Sequence, residues 1–376
     1  MVYKTGQCRV FKFAGIIFGG LLLLLAGCTS IYQGSESQPV PREWSWTNAV
    51  VQPVPAKPGP PVVKIIPGPV SHPNPPPKIS PPAPILTWTS LDRWAAENNV
   101  GTLRRLTGSP TTRYFIDGKK GLLVLEIGSR EATWNGVEMH LGFAPEIIDD
   151  QVFVHGLDLQ KNLEPLLLGE PLVFGANRVI VIDPGHGGSN VGTHSVLDGR
   201  FEKEFTLDWA KRLKPLLETN GWKVFLTRTS DTYVTNTSRA VFAEAHHADL
   251  FISLHFNSAA PDQKAAGLET YCFTPTGMPS TVTRGYADPW MEKLSSNDFD
   301  AQNLQLALKL QGALLRATGM EDRGVRHVRY IEVLRGQNRP AVLIEGGYLS
   351  NPYEAEKIES AEFRQKLAEA VATALR

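Results

Sequence analysis

The chain has 376 residues with 38 acidic and 38 basic side chains, so its formal net charge is zero. Its ordinary apolar and charged fractions indicate a globular protein rather than a disordered one, and its length allows two domains or one large one. A nucleic-acid-binding protein would carry a basic surplus, and this composition has none.

Residues 1–28 have the pattern of a targeting segment. Three basic side chains precede residue 13, and an uncharged, mostly apolar run over residues 13–26 follows. This run is shorter than the ~20 residues that span a bilayer, and it suits the apolar region of a signal peptide. It ends in L-A-G-C, which resembles the lipobox of bacterial lipoproteins, in which the cysteine, here Cys28, becomes the lipidated first residue.

The lipobox resemblance implies a protein of the cell envelope that is anchored to a membrane through Cys28. A plain secretory signal with a chance cysteine and an uncleaved anchor are the alternatives. Thr29, and not aspartate, follows Cys28, which by the sorting tendency of Gram-negative lipoproteins favours the outer membrane, facing the periplasm. Cys8 belongs to the signal, so Cys272 remains without a disulfide partner. Its strand-like surroundings predict a buried structural thiol rather than a nucleophile.

Residues 29–85 are predicted to form a proline-rich linker. Proline fixes φ and removes a backbone donor, so this segment can build neither helix nor sheet. We expect an extended, semi-rigid spacer of polyproline type. A ligand for proline-binding domains is the rival interpretation.

Residues 86–174 are predicted to form a small β-rich accessory domain. A short helix begins after Ser90, and Asn135-Gly136 is a strong signal for a two-residue hairpin turn between short strands. The short motifs I-D-G and W-N-G resemble a small module, similar to the N-terminal domain of copper amine oxidases, that accompanies cell-wall hydrolases. His140 and His155 are predicted to be surface or hairpin residues rather than ligands.

Strand and helix patterns alternate over residues 176–376, the predicted catalytic domain. The predicted strands cover residues 178–183, 222–228, 249–255, 267–273 and 340–345, and the predicted helices cover residues 204–218, 238–246, 303–318 and 353–375. Such Val/Ile/Leu-rich strands predict an α/β fold with a single, mostly parallel or mixed twisted sheet flanked by helices. Pro215 predicts a kink or a break in the first helix.

Polar side chains follow three of these strands. His186 follows the first strand in D-P-G-H-G-G, His255 closes the third, and Glu345 closes the last. Because ligands gather beyond the carboxyl ends of strands in open α/β sheets, we expect these side chains to share one site. Glu202, in R-F-E-K-E-F-T-L, is a fourth candidate, and Glu204 competes with it on spacing alone.

Five motifs in this order resemble those of the zinc-dependent N-acetylmuramoyl-L-alanine amidases, which are peptidoglycan hydrolases. They are D-P-G-H-G-G, E-K-E-F-T-L, L-T-R-T-S-D, A-D-L-F-I-S-L-H-F-N and V-L-I-E-G-G-Y-L-S-N-P. The resemblance implies that His186, Glu202 and His255 bind Zn²⁺ and that Glu345 is the catalytic carboxylate. The bond implied is the amide between the lactyl group of N-acetylmuramic acid and L-alanine.

The donor set implied by the resemblance suits a catalytic zinc site. Two imidazoles and one carboxylate leave a fourth position for water, and Glu345 can take the water proton and hand it to the leaving amine. Cell-division members of this class are often controlled by an activator protein, which makes an envelope activator a candidate partner beside peptidoglycan. A zinc peptidase that cuts within the stem peptide and a non-catalytic, peptidoglycan-binding lipoprotein are the alternative functions.

Four further residues are predicted to support the site through hydrogen bonds or ion pairs. They are Asn257, Arg228, Asp231 and Arg239. His194 has no counterpart in the matched motifs and is not predicted to be a ligand. The stretch between Phe273 and Asn303 is longer than a minimal catalytic domain needs. Its prolines argue against one long helix, so we expect a wall of the substrate groove, with an autoinhibitory segment as the alternative.

Overall fold

The computed structural model describes residues 87–174 and 178–376, which belong to one compact unit. The targeting segment, Cys28 and the proline-rich linker lie outside these residues, as does the predicted domain boundary at residues 175–177. None of the helices in the described ranges combines the length and the apolar character that crossing a membrane requires.

Fourteen strands occur in the described residues. In chain order they are β1 (Trp88–Ser90), β2 (Leu103–Leu106), β3 (Arg113–Gly118), β4 (Gly121–Glu126), β5 (Glu131–Trp134), β6 (Val137–His140), β7 (Glu146–Ile148), β8 (Gln151–His155), β9 (Val179–Pro184), β10 (Lys223–Leu226), β11 (Leu250–Asn257), β12 (Leu268–Phe273), β13 (Asp322–Val328) and β14 (Ala341–Tyr348).

Nine α-helices accompany these strands in the same residues. They are α1 (Leu91–Glu97), α2 (Gly156–Asp158), α3 (Glu164–Leu167), α4 (Glu202–Thr219), α5 (Asn236–Ala245), α6 (Asp300–Thr318), α7 (Glu332–Arg335), α8 (Pro352–Glu359) and α9 (Ala361–Ala374). A π-helical turn (Leu159–Leu163) joins α2 to α3, and a 3₁₀ turn (Ser295–Phe299) leads into α6.

Eleven of the strands form one mixed sheet in the order β10-β9-β11-β14-β12-β13-β6-β5-β4-β3-β2. The strands β10, β9, β11 and β14 are mutually parallel, and β12 is antiparallel to β14. Helices cover this part of the sheet on both faces, so the predicted fold class is confirmed. Alternate residues of β11 divide between the two cores, since Ile252 packs on one face and Phe251 on the other.

The sheet continues without interruption from the α/β strands into the accessory strands. Val325 of β13 pairs in parallel with Met139 of β6, and the β6-to-β2 strands follow as an antiparallel meander. The strands β1, β8 and β7 form a separate three-stranded sheet. The predicted hairpin turn is confirmed, because Asn135 (φ 51°) and Gly136 (φ 79°) both adopt left-handed conformations.

The secondary structure differs from the prediction in the last helix and at β13, and it decides one alternative for Pro215. The final helix is two helices, because Ser360 ends α8 with an extended backbone and caps α9 through its hydroxyl. Pro215 does not split α4, whose buried face, including Trp209 and Leu213, packs against the sheet and α9. The strand β13 was not predicted, since D-R-G-V-R-H-V is rich in charged residues and carries a weak strand pattern.

Candidate active site

The candidate site lies where three neighbouring parallel strands end. His186 comes two residues after β9, His255 lies near the end of β11, and Glu345 lies in β14 directly beside His255 in the register. Glu202 is the first residue of α4. Because β9, β11 and β14 are adjacent and parallel, their carboxyl ends bring these side chains to one edge of the sheet.

Glu202 links the two histidines. Its Oε2 lies 3.0 Å from His186 Nε2, and its Oε1 lies 2.9 Å from His255 Nδ1. One ligand atom from each of the three residues lies within 4.8 Å of the other two, which is close enough to hold a metal ion. Glu204 instead turns back to the helix start, where its Oε1 accepts from Phe201 N.

Two glycines make room for this cluster. A Cβ on Gly185 would overlap the imidazole of His255, and a Cβ on Gly192 would lie only 2.5 Å from Glu202 Oε2. Both positions therefore require glycine for the close approach of backbone to the metal-capable side chains. His186 itself has a positive φ of 62°, which turns its side chain out of the loop.

Hydrogen bonds fix the orientation of the cluster. His186 Nδ1 lies 2.8 Å from Asn190 Oδ1, so that Nδ1 donates to Asn190 and Nε2 faces Glu202. The Glu202 carboxylate also accepts from Phe256 N and from Thr193 N, both at 3.0 Å. The carboxylate is thus held between two backbone donors and two imidazoles.

Burial and pairing shift the protonation of the cluster. Burial alone would raise the pKa of Glu202, but the hydrogen bonds from His186 and His255 outweigh it and bring the pKa below its ordinary value. Burial lowers the pKa of His255. Burial would also lower the pKa of His186, but the hydrogen bond and the negative charge of Glu202 outweigh it, so that this pKa is raised. The Glu202 carboxylate is therefore anionic, as a metal ligand must be.

Glu345 is the carboxyl group of the site with an oxygen that is free to accept a hydrogen bond. Its side chain is buried, and among the described residues its Oε2 has no hydrogen-bond partner. Burial, followed by the negative charge of Glu202, raises its pKa well above the ordinary value. A buried carboxyl oxygen that lines a cleft and lacks a partner is suited to exchange a proton with a bound molecule.

Arg228 and Arg239 hold the loop that carries His186. Arg239 is buried, forms an ion pair with Asp183, and donates to the carbonyls of Pro184 (3.0 Å) and His186 (2.8 Å). Arg228 donates to the carbonyl of Pro184 at 3.0 Å and to the carbonyl of the following residue at 2.8 Å. Both guanidiniums act on the backbone of the loop rather than on the metal-capable side chains.

Asp231 and Asn257 differ in their access to the cleft, since Asn257 lines it and Asp231 does not. Asp231 accepts from Gly188 N at 2.7 Å and pairs with Lys203 Nζ at 2.7 Å, which ties the glycine-rich loop to α4. Asn257 lines the cleft and donates to Glu269 Oε2 at 3.2 Å. The structure therefore brings Asn257 to the cleft and places Asp231 on its outer, exposed side.

A cleft of about 550 Å³ opens over the cluster. Arg284 and Tyr286, from the loop between β12 and α6, line it together with Tyr330, whose ring stacks on Tyr286 at 5.3 Å. The loop contains no long helix, so the predicted groove wall agrees with its conformation. The predicted groove wall contains Arg284 and Tyr286 but did not single them out, and Tyr330 lies outside it, because their positions depend on how the loop folds over the sheet.

The other histidines of the described residues, and Cys272, are not part of the metal-capable cluster. His194 is exposed, and His246 ends α5, where its Nδ1 lies 2.8 Å from Phe242 O. Cys272 is buried, as predicted. His140 and His155 are buried rather than exposed, and both lie on hairpin strands, β6 and β8, which is the other position predicted for them. His155 accepts from Leu157 N and caps α2, which the sequence did not reveal.

Comparisons with known proteins identify related chains. The family model described as N-acetylmuramoyl-L-alanine amidase matches residues 180–376, which include the three residues of the cluster and Glu345. The chain is 32% identical over 250 residues to the probable cell wall amidase LytH of Staphylococcus epidermidis, covering 66% of this chain and 72% of that one. It is 30% identical over 239 residues to the N-acetylmuramoyl-L-alanine amidase AmiC of Escherichia coli, covering 57% and 56% respectively.

A solved structure also resembles this chain. The crystal structure of N-acetylmuramoyl-L-alanine amidase from Clostridium difficile 630 is 31% identical, and the match covers 54% of this chain and 96% of that chain, with a TM-score of 0.44.

Proposed function

The chain belongs to the N-acetylmuramoyl-L-alanine amidase family, and we propose that it hydrolyses the amide bond between the lactyl group of N-acetylmuramic acid and L-alanine in peptidoglycan. The observation that carries this proposal is the His186–Glu202–His255 cluster beside the unpaired Oε2 of Glu345, on the floor of one cleft. A metal-capable site next to a carboxyl group with free capacity is the arrangement that hydrolysis of an unactivated amide needs.

We propose Zn²⁺ as the metal of this site. Two imidazole nitrogens and one carboxylate oxygen, all within 4.8 Å of one another, form a donor set that zinc favours at catalytic sites. The space that Gly185 and Gly192 leave beside the ligands, and the backbone donors that fix Glu202, support this assignment. Zn²⁺, when bound, supplies acidity to a water molecule and polarises the scissile carbonyl.

The remaining chemistry belongs to the side chains of this protein. Glu345 Oε2 accepts the proton of the attacking water and later returns it to the nitrogen of the leaving L-alanine. Its raised pKa makes the carboxylate a stronger proton acceptor than an exposed glutamate. Asn190 fixes the tautomer of His186, and Arg239 holds the loop beneath it, so that the imidazole does not need to reorganise.

The proposed reaction is tested with the purified full-length protein and isolated peptidoglycan. Mass spectrometry follows the products with and without a chelator, after zinc is restored, and beside the Glu345→Gln variant. The expected products are intact stem peptides with a newly free L-alanine amine. Cuts within the stem peptide would show a zinc peptidase instead, and binding to peptidoglycan without any release would show a binding protein.

The location of the enzyme is a further part of the proposal. The L-A-G-C sequence supports lipidation at Cys28 and a place in the outer membrane, facing the periplasm. Residues 29–85 would then span the distance to the wall, with residues 86–174 as an accessory domain and residues 176–376 as the catalytic domain. Incorporation of a labelled fatty acid, lost in Cys28→Ala, tests the anchor, and unchanged labelling of that variant would rule it out.

A further inference from the structure

A second cavity, of about 290 Å³, adjoins the cleft. The two cavities share Asn257, Ser258 and Arg284 in their walls, so that they lie next to each other. We call this second cavity the arginine pocket, because three of its lining residues are arginines. They are Arg284, Arg323 and Arg326.

The arginine pocket has an excess of positive charge. Glu269 is its acidic residue, and its Oε1 lies 2.8 Å from Arg323 Nε and 3.9 Å from Arg326 Nε. The other carboxylate oxygen, Oε2, accepts from Asn257 Nδ2 and from the hydroxyl of Tyr271. Glu269 is thus fully engaged, and three guanidiniums face one carboxylate. Such a pocket attracts an anionic group.

Arg284 is the arginine that lines both cavities and still has hydrogen-bond donors available for a ligand. Its Nη2 donates to Tyr271 Oη at 3.0 Å and to Asn257 Oδ1 at 3.2 Å, and among the described residues no carboxylate lies within ion-pair distance of it. The guanidinium also lies over the ring of Tyr330, 5.8 Å from its centroid. A planar guanidinium held on one edge by neutral partners leaves its other donors for a carboxylate.

The backbone of the loop holds Arg284 in an uncommon conformation. Its φ of +49° lies in the left-handed region, which a long side chain seldom adopts, and Gly285 follows with a φ of +80°. Conformations of this kind persist where the surrounding structure enforces them, and they concentrate at binding sites. The turn at Arg284 and Gly285 thus places the guanidinium in the wall of the cleft.

We propose that the arginine pocket binds the free carboxylate of the residue that follows L-alanine in the stem peptide, with Arg284 as the residue that recognises it. This inference rests on the proposed function. The second stem residue is a glutamate linked through its γ-carboxyl, so its α-carboxylate branches from the chain one residue beyond the cleaved bond. Two residues reach about 7 Å, so this carboxylate leaves the stem close to the cleaved bond, as the neighbouring position of the arginine pocket requires.

The proposal makes the enzyme selective for stems that are not amidated at this position. In stems that carry isoglutamine the carboxylate is a neutral amide, and the charge-assisted contact with Arg284 is lost. Loss of a hydrogen bond to a charged group corresponds to roughly a tenfold to hundredfold lower kcat/KM. The carboxyl-terminal carboxylate of the stem is the other anion that could enter the pocket.

The test uses three synthetic muramoyl peptides and the zinc-loaded full-length protein. One peptide carries the glutamate α-carboxylate, the second carries the α-amide, and the third carries the α-carboxylate and an amidated carboxyl terminus. We expect the first and third to be cleaved with a kcat/KM roughly tenfold to hundredfold above that of the second. In Arg284→Gln this ratio should fall to about one, and Arg284→Lys, which keeps the charge without the fork, should retain part of it.

Arg335→Gln is the matched control, because Arg335 is an exposed arginine that pairs with Glu292 outside both cavities. This variant should keep the full preference. Equal cleavage of the first two peptides by the wild type, or an unchanged ratio in Arg284→Gln, would overturn the inference and leave the amidase activity standing. A preference that follows the carboxyl terminus would overturn it too. Failure to cleave any of the peptides would instead overturn the proposed function.

Discussion

The metal-capable cluster of the cleft and a second buried cluster contain similar side chains but differ in access. The second cluster lies between the accessory strands and the α/β strands, and we call it the junction network. Its members are Asp158, Asn162, His327 and Cys272. Each cluster combines histidine with an acidic side chain, and only the surroundings separate a site for chemistry from a structural contact.

The junction network is a closed chain of hydrogen bonds. Asp158 Oδ1 accepts from Asn162 Nδ2 at 2.7 Å, and Asn162 Oδ1 lies 3.2 Å from His327 Nε2. Cys272 Sγ lies 3.3 Å from the other imidazole nitrogen. Asp158 also accepts from two backbone amides, those of Gly142 and its neighbour. In the described part of the chain, none of these four side chains has a buried nitrogen or oxygen without a hydrogen-bond partner, so the network offers no free atom to a ligand.

The cleft differs in having an unfilled acceptor and room for a substrate. Glu345 Oε2 lacks a partner in the described residues, and the cavity above it holds about 550 Å³. The same residue types thus stabilise the fold where their bonding capacity is satisfied and can catalyse a reaction where it is not.

The largest effect is expected at the metal-capable cluster. His255→Ala should lose the bound metal. Its activity should fall by at least roughly a hundredfold, because mutation of a residue that merely hydrogen-bonds to a metal ligand can already lower activity by that factor. Metal content measured by mass spectrometry and release of L-alanine-terminated peptides provide the test. His194→Ala is the matched control, because His194 is exposed and lies outside the cluster. Full metal content in His255→Ala would remove this histidine from the site.

Glu345→Gln should lower activity by ~10²–10⁴-fold, since a positioned proton-transfer group contributes about that much. Its metal content should stay at the wild-type level, because the proposed ligands are untouched. The exposed Glu356→Gln serves as the control. Residual activity above a tenth of the wild type would contradict the assigned role of Glu345.

Asp158→Ala should destabilise the junction without changing the chemistry. It removes the acceptor of two backbone amides and of Asn162, so that the free energy of unfolding should fall by about 3 kcal/mol. Urea denaturation measures this loss, with the exposed Asp117→Ala as the control. A large loss of kcat in the fully folded variant would show that the junction also shapes the cleft.

Two buried histidines, His327 of the junction network and His140 of the neighbouring strand β6, should make the stability depend on pH. Burial, aided by Arg130, lowers the pKa of His327 to about 3, and burial, aided by Arg326, lowers that of His140 to about 4. Unfolded histidine takes a proton near pH 6.5. The unfolded state therefore binds more protons below that pH, and the free energy of unfolding falls as the pH drops from about 6.5 towards 4.

Asp158 acts in the opposite direction, because burial raises its pKa to about 6 and the unfolded side chain ionises near 3.8. Its contribution grows as the pH falls, but among these three groups the two histidines outweigh the aspartate, and their combined contribution is a loss of stability. Urea titrations between pH 7.5 and 4.5 measure the slope, which should be shallower in His327→Gln. An equal slope in that variant would contradict the neutral, buried state of His327.

The smallest effect concerns Cys272. Burial raises the pKa of this thiol far above its usual range, so it should resist alkylation in the folded protein and react only after unfolding. Peptide mapping reads the modification of Cys272 separately from the other cysteines. Rapid labelling under native conditions would show that the junction opens.

Local signals in the sequence were enough to find the centre of the site. His186, His255 and Glu345 stand beside strand ends, and adjacent parallel strands bring such ends together. The hairpin at Asn135 was equally predictable, because the preference for its turn is determined by two adjacent residues. Features of this kind need no knowledge of distant contacts.

Features that depend on distant partners were not predictable. His327 and Asn162 are 165 residues apart, and Arg130, which donates to the carbonyl of Pro279, is 149 residues from it. Neither pair has a pattern within its own segment. Arg284 likewise gains its position only after its loop folds against Tyr271 and Tyr330, so sequence periodicity carries no trace of the arginine pocket.

The pairing of β6 with β13 has a consequence for how the protein can be shortened. A fragment that begins at residue 178 would lose β6, and β13 would become an open edge with exposed backbone donors and acceptors. It would also uncover apolar side chains such as Leu304 and Leu314, which share one core with the accessory strands. We expect such a fragment to self-associate, whereas one that begins before β1 keeps the edge covered and stays monodisperse.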